Sequence, residues 1–199
     1  MKILVVGGNG TIGKKVCEKL SKKHEVIIAG RTGGDIQVDL TDSNSIISMY
    51  QALPELDASV IIAGEAKWDY FENLSEEDFY IGIRSKLMGQ VNMVRIGQQY
   101  LNLGGSFTLT TGILADDPVV MTTSAAMVNG AIHSFVKAAA LEMKKSQRIN
   151  VVSSGLVEDA VEKYEDYFPG HNPIPMDKVV NAYVRSILGK GNGEIIRVY

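Results

Sequence analysis

The short run Ile3-Leu4-Val5-Val6 leads into Gly8-Asn9-Gly10-Thr11-Ile12-Gly13, and an amphipathic stretch from Thr11 to Leu20 follows at once. A G-x-G-x-x-G spacing set between a strand and a helix leaves few folds open. Gly8 and Gly10 allow a tight turn and close approach of the backbone to a pyrophosphate, and Gly13 lets the helix pack near the strand. The helix N-terminus adds free amides and partial positive charge. With Gly7 just ahead of the motif, Gly7, Gly8, Gly10, Thr11, Ile12 and Gly13 make up the expected phosphate loop. A glycine-rich turn without a ligand is the alternative, and the strand-to-helix setting argues against it.

The rest of the chain repeats that alternation. Short β-branched runs predict strands at Ile3–Val6, Val26–Ala29, Ile36–Val38, Ser59–Ala63, Ser106–Thr110, Ile149–Val152 and Ile195–Val198. Amphipathic stretches predict helices at Thr11–Leu20, Ser43–Leu53, Ser75–Leu101, Val119–Lys145 and Met176–Leu188. Ser75 with Asp78 reads as a capping box, and Asn102-Leu103-Gly104-Gly105 reads as a helix stop. Between the second and third strands only Gly30 to Asp35 is available, too little for a helix, and Pro169 to Pro175 reads as a surface loop. The expected fold is α/β: a single doubly wound Rossmann-type domain over residues 1–199, with a seven-stranded, mostly parallel sheet and helices on both faces.

Composition narrows the partners. Charged residues are 22% of the 199, the net charge is -3, and Lys and Arg are scattered, so no basic stripe offers itself to nucleic acid or to a membrane surface. The opening apolar run is too short for a signal-peptide core, and no run approaches the roughly 20 apolar residues of a membrane span. Cys17 is the lone cysteine, and His24, His133 and His171 lie far apart, so neither a disulfide nor a metal set is expected. The reading is a cytoplasmic, metal-free protein.

Cofactor choice turns on the end of the second strand. Ala29-Gly30 is followed by Arg31, about 20 residues beyond the loop, where NAD sites usually carry an acid for the ribose 2′-hydroxyl. A guanidinium there can grip a 2′-phosphate, with Thr32 adding a hydroxyl, so NADP(H) is expected over NAD(H). A solvated surface arginine is the competing reading.

These features, and five others, resemble the short-chain dehydrogenase/reductase family over nearly the whole chain. Val38-Asp39-Leu40-Thr41-Asp42 is similar to the family's segment whose Asp contacts adenine, and Ile61-Ile62-Ala63-Gly64 to its Asn-Asn-Ala-Gly, whose small pair lies against the cofactor ribose. Gly130 to Glu142 resembles the helix after the family's active-site lysine, Arg148 to Gly155 its Arg-Val-Asn-x-Val-x-Pro-Gly with Ser154 in place of proline, and Gly193 to Val198 its last strand. The resemblance implies cofactor contacts from Asp39, Leu40, Ala63, Gly64, Ser154 and Gly155. It also implies a homodimer or homotetramer built through the fifth and sixth helices, where Gly89, Met93, Ile96, Ala131, Phe135 and Ala138 supply small or apolar residues.

The resemblance breaks at the chemistry. The family's Tyr-x-x-x-Lys pair falls on Ala125 and Asn129, its serine on Gly112 or Thr111, and its helix asparagine on Lys86. Lysine and asparagine have traded helices, which suggests a compensated site of Lys86, Thr111 and Asn129; a lysine capping a helix with its amine in solvent is the plainer alternative. Tyr164, Tyr167, Trp68 and Tyr70 are candidates for the substrate cover. The expected activity is NADP(H)-dependent oxidoreduction of a small carbonyl or alcohol of unknown identity; the alternative is a non-catalytic NADP(H) sensor or partner subunit.

Overall fold

In the computed structural model, which describes residues 1–199, seven strands form one sheet. They are β1 (Lys2–Val6), β2 (Glu25–Gly30), β3 (Ile36–Gln37), β4 (Leu56–Ile61), β5 (Leu101–Gly112), β6 (Arg148–Ser154) and β7 (Ile195–Val198), in the order β3-β2-β1-β4-β5-β6-β7. Every neighbouring pair is parallel, so the sheet is wholly rather than mostly parallel. The strand order reverses at β1, which puts a crevice at the carboxyl ends of β1 and β4, the usual ligand position in such sheets.

The helices are α1 (Thr11–Leu20), α2 (Ser43–Gln51), α3 (Glu76–Gly82), α4 (Gly89–Gly97), α5 (Thr123–Glu142), the single turn α6 (Val161–Tyr164) and α7 (Met176–Leu188). Strand side chains alternate between faces, and both faces are buried: Leu4 and Val6 join α2, α4 and α5 in one core, while Ile3 and Val5 join α1 and α7 in the other. That two-sided burial explains why the strands read as continuous apolar runs. The helixless connection between β2 and β3 is held by Asp35, whose amide donates to the Ile28 carbonyl (2.7 Å) and whose carboxylate accepts from the Ile28 amide (2.8 Å).

The predicted helix Ser75–Leu101 is not one helix. The Ser75–Asp78 capping box starts α3 as expected, but a π-helical stretch, Ile83–Met88, separates it from α4, and the chain has entered β5 by Leu101. Glycines bracket the interruption, Gly82 against Ala66 and Val128 and Gly89 against Leu40, so close packing with other segments sets the break. Asn102 to Gly105 therefore lie in β5 rather than ending a helix. At the expected Val119–Lys145 helix, left-handed backbone at Met121 (φ 71°), Lys145 (φ 55°) and Ser146 (φ 52°) flanks α5 and trims both ends.

Candidate active site

Gly7 makes the tight turn, at φ 83°, not Gly8. A Cβ on Gly7 would meet the Ile62 carbonyl, and one on Gly13 the Gly7 carbonyl oxygen, so these two glycines let β1, β4 and α1 converge. Gly8 is buried behind the loop against Ile28 and Cys17. The effective spacing is Gly7-x-x-Gly10-x-x-Gly13. Gly10 caps α1 with extended backbone and no side-chain cap, and the first turn of α1 carries no acid, which leaves its amides open to an anion.

Beside this loop lies a cleft of about 270 Å³ whose walls include Gly7, Arg31, Asp39, Leu40, Ala63 and Gly64 among the expected cofactor residues. Thr32, Gly10 and Thr11 are exposed outside its lining. Glu65 and Ser85, which sequence reasoning missed, are part of the wall; the Glu65 amide donates to Ser85 Oγ (3.2 Å). Arg31 stands 74% exposed at the rim, 3.9 Å from Glu65, a contact too solvated to hold it firmly. Asp39 Oδ1 accepts from the Thr41 amide (2.9 Å) and hydroxyl (2.7 Å); these bonds hold its carboxyl below the usual range and stiffen the floor. The cleft fits a dinucleotide's adenosine half: small backbone at the turn, open amides and a cation at the rim.

A second cavity, of about 210 Å³, opens at the ends of β5 and β6 and is lined by Ile12, Lys86, Thr111, Asn129, Ser154 and Gly155 with apolar residues around them. Lys86 and Asn129 also line the wider mouth of about 550 Å³, which shares Gly64 and Glu65 with the cofactor cleft. The traded pair thus meets in one place. Lys86 sits in the π-helical stretch and its stem lies on Gly64 (φ 112°), where any Cβ would strike it. Burial alone pushes the Lys86 ammonium down to about 8. Asn129 is 2% exposed, and its buried Oδ1 has no hydrogen-bond partner in the protein.

Ala125 is 5% exposed in a small apolar cluster with Ile113, Leu114, Leu156 and Phe168, so nothing acidic stands where the family's tyrosine would. Thr111 is 3% exposed, and its hydroxyl is already paired with His133 Nε2 at 2.8 Å. His133 was not legible as a site residue, although it lies one helical turn beyond Asn129 on the same face of α5. Trp68 packs against Tyr164 (5.7 Å), Tyr167 (5.6 Å) and Phe168 (6.4 Å) as an aromatic cover over the mouth; Tyr70, 53% exposed, takes no part.

Of the helix residues expected to associate, Phe135 and Ala138 line an open groove and three others are internal. Met93 and Ile96 are buried in the core and Gly89 packs on Leu40, so they are internal. What α4 and α5 leave open is a groove of about 450 Å³ lined by Val91, Val94, Arg95, Phe135, Ala138 and Met143, among others.

A family model described as enoyl-(acyl carrier protein) reductase matches residues 3–180. Among solved structures, the protein lin1944 from Listeria innocua is 46% identical over the whole of both chains, with a TM-score of 0.98. A small-chain dehydrogenase solved in complex with NADPH is 26% identical, covering 100% of this chain and 96% of its own, with a TM-score of 0.87. Another small-chain dehydrogenase is 27% identical at a TM-score of 0.85. No curated protein matches. With the all-parallel sheet, the Gly7–Gly13 turn and the cleft at the β1–β4 crevice, these matches place the chain in the short-chain dehydrogenase/reductase family of oxidoreductases.

Proposed function

We propose that residues 1–199 act as one NADP(H)-binding domain that interconverts a small carbonyl and its alcohol through an altered active site. The observation that carries this reading is the continuity of the cavities: the cleft bearing Arg31 passes, through Gly64 and Glu65, into the mouth that holds Lys86 and Asn129. A bound dinucleotide supplies or accepts the hydride. Arg31 favours the 2′-phosphate form by charge-assisted hydrogen bonding. The phosphate loop and the α1 amides hold the pyrophosphate, and Ala63 and Gly64 leave room for the ribose. With a pKa of about 8, Lys86 stays largely protonated at neutral pH and stabilises negative charge developing on the substrate oxygen. Asn129, through its unpartnered Oδ1, fixes a ribose hydroxyl or a water. The aromatic cover excludes solvent.

An alanine at position 125, where the family's tyrosine aligns, favours a second reading, a non-catalytic NADP(H) sensor or partner subunit, because it supplies no acid. No helix is long and apolar enough to cross a membrane. We place the protein in the cytoplasm, acting on a small molecule rather than nucleic acid or a membrane, as a homodimer or homotetramer joined through the α4–α5 groove. Turnover of NADPH across a panel of aldehydes, ketones and quinones separates the readings. The enzyme reading expects at least one substrate and a loss of about 10²-fold in kcat for Lys86→Met, with NADPH affinity changed far less. A stoichiometric NADPH complex that turns over none of the panel contradicts it and favours the sensor.

A further inference from the structure

Reducing a carbonyl to an alcohol takes a proton as well as a hydride, and Ala125 has none to give. Of the serine and threonine residues that line the pocket, Thr111 and Ser154, Ser154 bonds to no titratable group. Thr111 differs. It lines the pocket, and its Oγ1 lies 2.8 Å from Nε2 of His133, on the helix behind it. The imidazole is 6% exposed, but its Nδ1 makes no protein hydrogen bond and is not sealed from solvent. One nitrogen is paired with the Thr111 hydroxyl while the other has no protein partner and keeps a little contact with solvent.

We propose that Thr111 and His133 form a proton relay from solvent to the pocket, so that Thr111 is the catalytic proton donor and His133 the residue that recharges it. The relay rests on the reductase reading above. As hydride arrives at the carbonyl carbon, the C=O π pair moves to oxygen, the Thr111 O–H bond breaks and a new O–H bond forms on the product. The His133 Nε2–H bond breaks as the Thr111 hydroxyl is restored, a water proton binds Nδ1, and tautomer exchange of the neutral ring then returns it to Nε2–H before the next turnover. One hydride and one solvent proton are consumed per alcohol. An imidazole hydrogen-bonded through one nitrogen and open to water through the other suits this task, because a proton can enter at one as it leaves from the other.

The surroundings favour a neutral ring. Desolvation holds His133 below its ordinary pKa, opposed by the charge of Asp116 and assisted by Arg197 and Lys137. Asp116, on the turn after β5, is itself clamped by Arg197 (3.0 and 2.9 Å) and by the Tyr199 hydroxyl, which keeps its charge near the imidazole without binding it. A buried residue serving only to fill space would leave the Thr111 hydroxyl equally well placed with glutamine in its stead.

The test combines a spectrum with turnover. Nitrogen NMR of the cofactor-free protein should show His133 as the Nε2–H tautomer near neutral pH, with that resonance shifted in Thr111→Val. With NADPH, and with 9,10-phenanthrenequinone and benzaldehyde as probes, His133→Gln should keep NADPH affinity within about threefold but lose about 10²-fold in turnover. Thr111→Ser should retain most turnover, Thr111→Val should match His133→Gln, and the double variant should lose no more than either. An Nδ1–H tautomer, or wild-type turnover and pH profile in His133→Gln, overturns the relay while leaving the reductase reading intact. A wild-type protein that binds NADPH but turns over neither these probes nor any other member of the aldehyde, ketone and quinone panel overturns both.

Discussion

Lys86 is a cation the pocket leaves without a counter-charge, and that has a thermodynamic signature. Its pKa falls from an ordinary 10.5 to about 8 with burial as the sole cause. Between those values the unfolded chain binds a proton that the folded chain has released, so stability rises with pH through that window. Below about 8 both states carry the proton, and folding bears the full desolvation of the ammonium. Lys86→Met should therefore stabilise the protein by about 1–3 kcal/mol at pH 7, an advantage that shrinks by pH 10. Urea unfolding of both proteins at the two pH values checks it; equal differences at both would contradict the burial argument. Asp116 also makes stability rise with pH, but as a group that contributes stability at neutral pH rather than costing it. Hydrogen bonds from Arg197 and then Tyr199 lower its carboxyl to about 2 from 3.8, so its contribution is present above pH 3.8 and lost as pH falls through about 2. Discounted for its partial exposure, Asp116→Asn should cost about 1 kcal/mol at pH 7 and nothing below pH 2, measured by chemical denaturation.

At the scale of elements, the phosphate loop separates two kinds of glycine. Gly13→Ala would drive a Cβ into the Gly7 carbonyl, separating α1 from β1, and should cost more than 2 kcal/mol. At Gly10 (φ -77°, ψ 174°) an alanine is conformationally allowed, and its Cβ would meet only the Gly7 carbonyl, at 3.4 Å. Gly10→Ala should leave the melting temperature within about 2 °C of wild type yet weaken NADPH binding tenfold or more, since the methyl occupies the face the pyrophosphate approaches. Thermal melts and calorimetry on both variants decide this; a destabilised Gly10→Ala that binds normally would reverse the assignment. These positions also show what local pattern can and cannot reveal. Helices α1 and α7 have strong amphipathic periodicity, and their predicted bounds match the structure. The Ser75–Leu101 prediction failed because periodicity does not register a π-helical insertion, and the glycines that flank it are explained by Ala66, Val128 and Leu40 from distant segments. Spacing alone points to Gly8, because Gly8-x-Gly10-x-x-Gly13 fits the glycine motif, and only the approach of Ile62 selects Gly7.

For the whole molecule, the βαβ alternation was enough to predict a seven-stranded doubly wound sheet, since two-sided burial imprints apolar runs on every central strand. The cleft beside the glycine loop was legible where backbone shapes its wall, at Gly7, Ala63 and Gly64, and less so where side chains from separate loops meet, as with Glu65 and Ser85. Lys86, Thr111 and Asn129 were found by registering two helices and a strand against a family pattern, and the structure brings all three to one pocket. His133 escaped notice because its meaning comes from a strand 22 residues away. If Arg31 selects NADP(H) at the cleft beside this pocket, calorimetric titration of NADPH and NADH into the wild type and Arg31→Ala will show it. A stoichiometric NADPH complex is expected, with NADH at least tenfold weaker, and Arg31→Ala should lose about 10-fold or more for NADPH while its NADH affinity is unchanged. Equal affinity for both cofactors in the wild type, or no binding of either, would contradict it.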